Sequence, residues 1–261
     1  MQQQMDDFQK KRAIRQRKLR RRRVIAALWT FLFSAIAVGL ILCMTVFFPV
    51  KVVRANGSKV YTEMQIIKAC GLTEKDNLFV FSRQKTTERL RKKLPYIDSA
   101  SYKIYLPDGI KITVKDAADY LCYKQKNSYY TISKAGYVLS KSAEPSLAVP
   151  TVLGADGTFT VGKKAAFKNS KKQHIAEESM RLFTENGLSV NCLDLTDPIE
   201  IKVKVSDRFL VNLGSFTEWE GKIGHLSGMV KSIEPERTGE INLSMWNSQK
   251  KEGSFVEGNI E

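Results

Sequence analysis

Residues Ser99–Lys115, SASYKIYLPDGIKITVK, decide how the middle of the chain folds. Ser99 to Leu106 reads as a strand, Pro107-Asp108-Gly109 as a turn, and Ile110 to Lys115 as a second strand. Ile110, Ile112 and Val114 alternate with polar residues, so the pair is expected to be a hairpin with one wet face. Upstream, a helix is expected over about Gln84 to Lys93, with Leu90 and Leu94 on its inward face and Pro95 closing it. Asn77-Leu78-Phe79-Val80-Phe81 makes a short apolar link. Before it, Thr62 and Gln65 have capping-box spacing, so a helix should run through Ile66 and Ile67 to Cys70 and stop at Gly71. A β-rich run at Val50 to Arg54 and a turn at Asn56-Gly57 come first. The order β-α-α-β-β describes two helices on a three-stranded sheet.

Further upstream, Val24 to Phe48 (VIAALWTFLFSAIAVGLILCMTVFF) is apolar without one charge. At ~1.5 Å per residue a helix of this length covers ~37 Å, against a hydrocarbon core of ~30 Å. A transmembrane helix is therefore expected. A cleavable signal has a shorter apolar region and a small-residue cleavage site, whereas this run ends in Phe47, Phe48 and Pro49. Lys10 to Arg23 holds ten basic residues in fourteen. The excess of positive charge on that side keeps the N-terminus in the cytoplasm, and Arg20, Arg21, Arg22 and Arg23 are expected at the lipid surface. Residues 1–23 carry +8 of the formal +15. The basic balance thus belongs largely to the membrane side and argues against a nucleic-acid partner, for which no groove-reading or base-stacking element is visible.

Cys43 falls inside the expected span, and Cys70, Cys122 and Cys192 follow it. Their wide spacing forms no C-x-x-C element, so they read as buried small hydrophobes, with one disulfide among the last three left open.

The central module resembles the POTRA domain of the bacterial cell-division family called FtsQ in Gram-negative organisms and DivIB in Gram-positive ones. The resemblance rests on Val53 to Gly57, on Asn77-Leu78-Phe79, on Leu94-Pro95-Tyr96-Ile97-Asp98-Ser99-Ala100, and on Leu106-Pro107-Asp108-Gly109-Ile110-Lys111-Ile112-Thr113-Val114, in this order after a single span. The family usually continues with an acidic-basic pair and a proline. Here Asp116 keeps the acidic residue, but Ala117-Ala118-Asp119 keeps neither the basic residue nor the proline.

The rest resembles the family's β-rich second domain. Tyr129 to Leu139 reads as two short strands around Gly136, and Val149-Pro150-Thr151-Val152-Leu153-Gly154 resembles the family's L-P-x-[IL]-x-G. A helix is expected from about Lys172 to Asn186, with Ile175, Ser179, Leu182 and Phe183 on one face and Gly187 at its end. Strands follow at Ile199 to Val205 and Phe209 to Leu213. Phe216, Trp219, Ile223, Leu226, Val230 and Ile233 then recur at helical spacing; the stripe suits either packing on the sheet or a coiled-coil seam, and packing is expected. Gly239-Glu240-Ile241-Asn242-Leu243 resembles the family's G-x-I-D-L, with Asn242 for aspartate, and Ile241 to Met245 is expected to be the final strand. The fold class expected is α+β, with residues 1–23 as cytoplasmic tail, 24–48 as transmembrane helix, 49–117 as POTRA domain, 118–245 as β-rich domain and 246–261 as flexible tail.

No catalytic constellation stands out. His174 and His225 belong to no metal spacing, and neither a G-x-S-x-G nor a phosphate-loop element is present. No enzyme, cofactor or small-molecule substrate is expected. What the resemblance implies is a non-catalytic scaffold at the septum, holding FtsB/DivIC-like and FtsL-like coiled-coil partners and supporting septal peptidoglycan synthesis. The alternatives are a membrane-anchored cell-wall enzyme and a single-pass sensor. Ile241, Asn242, Leu243, Ser244 and Met245 are expected to form an open sheet edge to which a partner adds a strand, with Trp246 beside it and Phe255 in support. The competing reading is that the tail folds back through Phe255 and Val256 and covers that edge.

Overall fold

The computed structural model describes residue 25 and residues 27–42 and 47–259. The basic tail with Arg20 to Arg23 lies outside the described residues, as does Cys43. Residues 27–42 are helical, and Leu28, Trp29, Phe31 and Ile36 on them are exposed. No helix among the described residues is long and apolar enough to cross a membrane; the expected span 24–48 includes positions outside them.

The module after Pro49 has the expected element order: β1 Val52–Asn56, α1 Glu63–Cys70, α2 Arg83–Lys93, β2 Ile97–Tyr105 and β3 Gly109–Asp116. Its three-stranded sheet runs β1-β3-β2. The middle strand carries the alternating set, and Ile110, Ile112 and Val114 are all buried. Thr62 starts α1 as its sequence requires: Thr62 Oγ1 accepts from the Gln65 amide at 3.4 Å, and Gln65 Oε1 accepts from the Thr62 amide at 2.9 Å. Gly71 ends the helix at φ +63°, a left-handed conformation that suits glycine. Asp116 accepts from Ser58 Oγ and from the Lys59 amide, each at 2.6 Å, and so fastens the turn that follows β1.

Contacts group the described chain into two compact units. One holds the residues up to Arg54 with Leu72–Arg83 and Tyr102–Lys111; the other holds Ala55–Gly71, Gln84–Ser101 and the chain from Ile112 onward. In the first, Val50, Leu78 and Ile110 are buried, with Phe48, Val53 and Phe81 packed against them. The Val50 amide donates to Asp76 O and the Leu78 amide to Phe48 O, which holds residues 48–50 beside the 76–78 link.

The second unit contains a nine-stranded sheet in the order β14-β13-β12-β11-β10-β7-β4-β5-β6. Its strands are β4 Asp119–Gln125, β5 Ser128–Ser133, β6 Val138–Ser142, β7 Thr151–Leu153, β10 Val190–Asp194, β11 Ile201–Val205, β12 Phe209–Gly214, β13 Gly239–Asn242 and β14 Ser254–Glu257; β8 Gly157–Thr158 and β9 Ala166–Phe167 form a separate pair. The helices are α3 Ser170–Glu185 and α4 Trp219–Ser232. Trp219, Ile223 and Leu226 share one buried core with Phe183, Val203 and Val211, so the stripe on α4 packs within the domain instead of forming a coiled-coil seam. Ser179 works within that core: the Trp219 Nε1–H donates to Ser179 Oγ at 3.0 Å, joining α3 to α4.

Cys70 and Cys122 are buried, as expected of small hydrophobes, whereas Cys192 is only partly so. Burial, reinforced by the nearby Asp194 carboxylate, pushes the Cys192 thiol up to about 11.

Candidate partner-docking edge

The end of the nine-stranded sheet is built from three strands of different parentage. Residues 209–214 form β12 because Ser206 and Asp207, at φ 54° and 52°, turn the chain back from β11 in a tight hairpin. β13 joins β12 in parallel after the crossover through α4, with Val211 opposite Ile241 and Asn212 opposite Asn242. The chain leaves β13 through a side-chain turn: Asn242 Oδ1 accepts from the Ser244 amide at 2.9 Å, as Asn212 Oδ1 does from the Gly214 amide.

The expected open edge at Ile241 to Met245 is overturned here. The tail returns as β14 and pairs antiparallel with β13, setting Ile241 opposite Phe255 and Asn242 opposite Ser254. Ser244 and Met245 lie beyond the strand, and Met245 is exposed. Nor does the expected flexible tail describe residues 246–259. Trp246 is buried in the core, and Ser248 donates from its amide (2.7 Å) and hydroxyl (2.5 Å) to Glu218 Oε2. The physical reason is apolar anchoring at both ends of the return: Trp246 lies against Gly221 of α4, and Phe255 meets Phe209 edge-on at 6.0 Å.

β14 is therefore the terminal strand, and its register shows which groups it leaves open. The Gly258 amide donates to Thr238 O at 3.1 Å, and Thr238 Oγ1 donates to Gly258 O. Bonded and non-bonded pairs alternate along an antiparallel ladder. Glu240·Val256 and Asn242·Ser254 are then the bonded pairs, while Phe255 and Glu257 turn their N–H and C=O groups away from β13. The opposite end of the sheet differs: Val138 at the start of β6 donates to Lys163 O and accepts from the Gly162 amide, so that end is partly covered.

The same domain holds a cleft lined by His174, Glu178, Phe216, Glu218, Trp219, Glu220 and Trp246. Two of its carboxylates are engaged. Glu178 pairs with Arg181, whose hydrogen bonds hold it below the usual carboxylate range; the Ser248 hydroxyl and amide do the same for Glu218. Lys222 is buried and donates to Leu213 O at 2.8 Å and Ser215 O at 3.0 Å, and burial lowers its ammonium from the ordinary value. The buried Trp246 Nε1–H has no hydrogen-bond partner among the described residues.

Sequence reading thus brought Ile241, Asn242 and Phe255 together in one sheet corner, with Leu243 and Trp246 in the core beneath it. The competing reading, in which the tail folds back through Phe255 and Val256 over that edge, is the one the structure bears out, and Ser254 and Glu257 complete the strand. The available signal was the apolar pair Phe255-Val256 after a polar stretch, too short to outweigh the composition around it.

Similarity to known proteins covers both parts of the chain. Residues 48–116 match the model of the POTRA domain, FtsQ-type. Proteins described as cell division protein DivIB are similar to it in three clostridia. The Clostridium tetani protein is 30% identical over 95 residues, 36% of either chain. The Clostridium acetobutylicum protein is 24% identical over 62% of this chain and 66% of its own length. The Clostridium botulinum protein is 22% identical over 87% of this chain and 90% of its own. The matched domain lies where the β-α-α-β-β module folds, and the longest similarity, over 87% of the chain, extends beyond that module into the second domain.

Proposed function

We propose that this protein is a non-catalytic scaffold of the division machinery, anchored in the cell membrane by residues 24–48 and enriched at the septum. Its β-rich domain holds a coiled-coil partner ectodomain of the FtsB/DivIC kind, which in turn brings an FtsL-like protein toward septal peptidoglycan synthesis. The observation that carries the reading is the outward-facing backbone of Phe255 and Glu257 on the last strand of the sheet, a template for strand addition. The docking site is the corner formed by Ile241, Asn242, Leu243, Ser244, Met245, Trp246 and Phe255, extended through Glu257. Main-chain bonds to β14 supply affinity there, and Val256 and Met245, both exposed, supply apolar contact.

The anchor is supported by the exposed apolar side chains of the helix 27–42 and by the uncharged run around it. Basic residues before that run, Arg20 to Arg23 among them, favour a cytoplasmic N-terminus and an outer location for both folded domains. A non-catalytic role is supported by the state of the cleft, whose Glu178 and Glu218 are engaged in structural hydrogen bonds.

Depletion with imaging of a functional fluorescent fusion tests this. A scaffold gives septal fluorescence and, on depletion, filaments or failed septa. Chained cells with completed septa would contradict it and favour a cell-wall hydrolase.

A further inference from the structure

Within the unit that holds residues 47–54, 72–83 and 102–111, large apolar side chains stand exposed where the fold gives them no cover. Val52 is 45% exposed, Tyr105 48% and Leu106 64%, and the three line one hollow together with Arg54 and Lys111. The Lys103 ammonium sits 5.4 Å over the Tyr105 ring. Apolar tips ringed by cations, with Asp108 the one acidic residue lining the hollow, make a surface suited to an anionic interface between water and hydrocarbon.

Chain geometry says how far this surface stands from the anchor. The amides of Lys51 and Val52 both donate to Asp108 O, at 2.9 and 3.1 Å, so the turn from Tyr105 to Gly109 is fastened to residues 51–52. Val52 is four residues beyond Phe48, where the uncharged run ends. At ~3.3–3.6 Å per residue those residues cannot carry the turn more than ~15 Å from Phe48. A Phe48 at the boundary of the hydrocarbon keeps the turn within reach of the headgroup layer, which is itself several ångströms deep.

We propose that this face, with Tyr105 and Leu106 as its insertion point and Arg54, Lys103 and Lys111 as its charged rim, rests on the outer surface of the anionic bilayer in which the chain is anchored. The inference depends on the membrane anchor of the preceding subsection. Docked in this way, the first unit is steadied against the membrane by two contacts, the span and the turn, in place of a single flexible attachment.

The test uses the full chain reconstituted in vesicles of phosphatidylglycerol and phosphatidylethanolamine, with the photoreactive p-benzoylphenylalanine in place of Leu106, of Phe31 within the apolar run, or of the exposed Ile199 in the second unit. Irradiation followed by mass spectrometry reads lipid adducts. The proposal expects adducts from Leu106 and Phe31 and none from Ile199. It also expects the Leu106 yield to fall several-fold when Lys111→Glu and Arg54→Glu are combined, or when phosphatidylcholine replaces the anionic lipid, with the Phe31 yield unchanged. Adducts at Phe31 without adducts at Leu106 would overturn the docking and leave the anchor standing. Absence of adducts at both positions would overturn both, and equal yields at Leu106 and Ile199 would show non-specific contact and also overturn the docking.

Discussion

Ile241 stands directly opposite Phe255 across the ladder between β13 and β14, in a pair whose backbone groups do not bond to each other. The Ile241 amide side is turned to β12, and the outward groups of Phe255 face away from the sheet. One added strand therefore moves the open edge of the sheet from residues 239–242 to residues 254–257, while keeping Phe255 over the core through Phe209.

The bond between Ser179 and Trp219 joins α3 and α4 inside the core, where water cannot replace either partner. Ser179→Ala leaves the indole N–H unsatisfied and is expected to cost about 1–3 kcal/mol. Adding Trp219→Phe removes the stranded donor, so the double variant should lose less than the sum of the two single changes. Urea denaturation of the three variants measures this coupling.

Gly221 is in α4, and a methyl group there would meet the Trp246 ring at 2.3 Å. Helix propensity alone would make Gly221→Ala favourable by about 1 kcal/mol. The clash outweighs it, because overpacking a filled core costs about 1–3 kcal/mol. The expected outcome is a lower melting temperature and altered tryptophan emission. Gly221→Ala combined with Trp246→Leu should recover much of the stability, since the ring that clashes is gone.

Acid should release the turn after Trp246. The Ser248 hydroxyl and amide favour the ionised form of Glu218, so its carboxyl in the folded protein lies below the unfolded value. That contribution is complete above the unfolded glutamate value and is lost as pH falls through the lower folded one. Amide exchange at Ser248, corrected for intrinsic exchange, should stay slow from neutrality down through the ordinary glutamate range and become fast only once the pH falls below it. In Glu218→Gln the corrected exchange should not change across the same range.

The sequence made the first module legible almost residue by residue because its signals are local. Thr62, Gln65 and Gly71 cap a helix within ten positions, and Ile110, Ile112 and Val114 alternate on a strand that the structure puts in the middle of the sheet. The second domain was legible in α3, α4 and the hairpin 201–214, and obscure where tertiary context decides. β4 carries three consecutive buried residues, Leu121, Cys122 and Tyr123, so both of its faces are covered there and the period-two signal is lost. β10 pairs with β7 and β11, which are distant in sequence, and gives little local sign of itself. The candidate site suffered most, since whether β13 is an edge depends on a four-residue strand twelve positions later. That strand also carries Glu257, a charge of the kind that guards exposed edges against indiscriminate pairing.

The central claim, strand addition at β14, is tested most directly by comparing Glu257→Pro with Glu257→Ala in the full chain. Glu257 points its N–H outward, so proline removes a donor from the docking edge without removing a bond to β13, and alanine keeps the donor. Co-purification of the cognate coiled-coil division partner from solubilised membranes is the readout, with thermal unfolding as the control on folding. The account expects proline to reduce recovered partner about tenfold or more, alanine to leave it within about twofold, and both variants to melt near the parent protein. Undiminished partner recovery with a folded Glu257→Pro protein would contradict it.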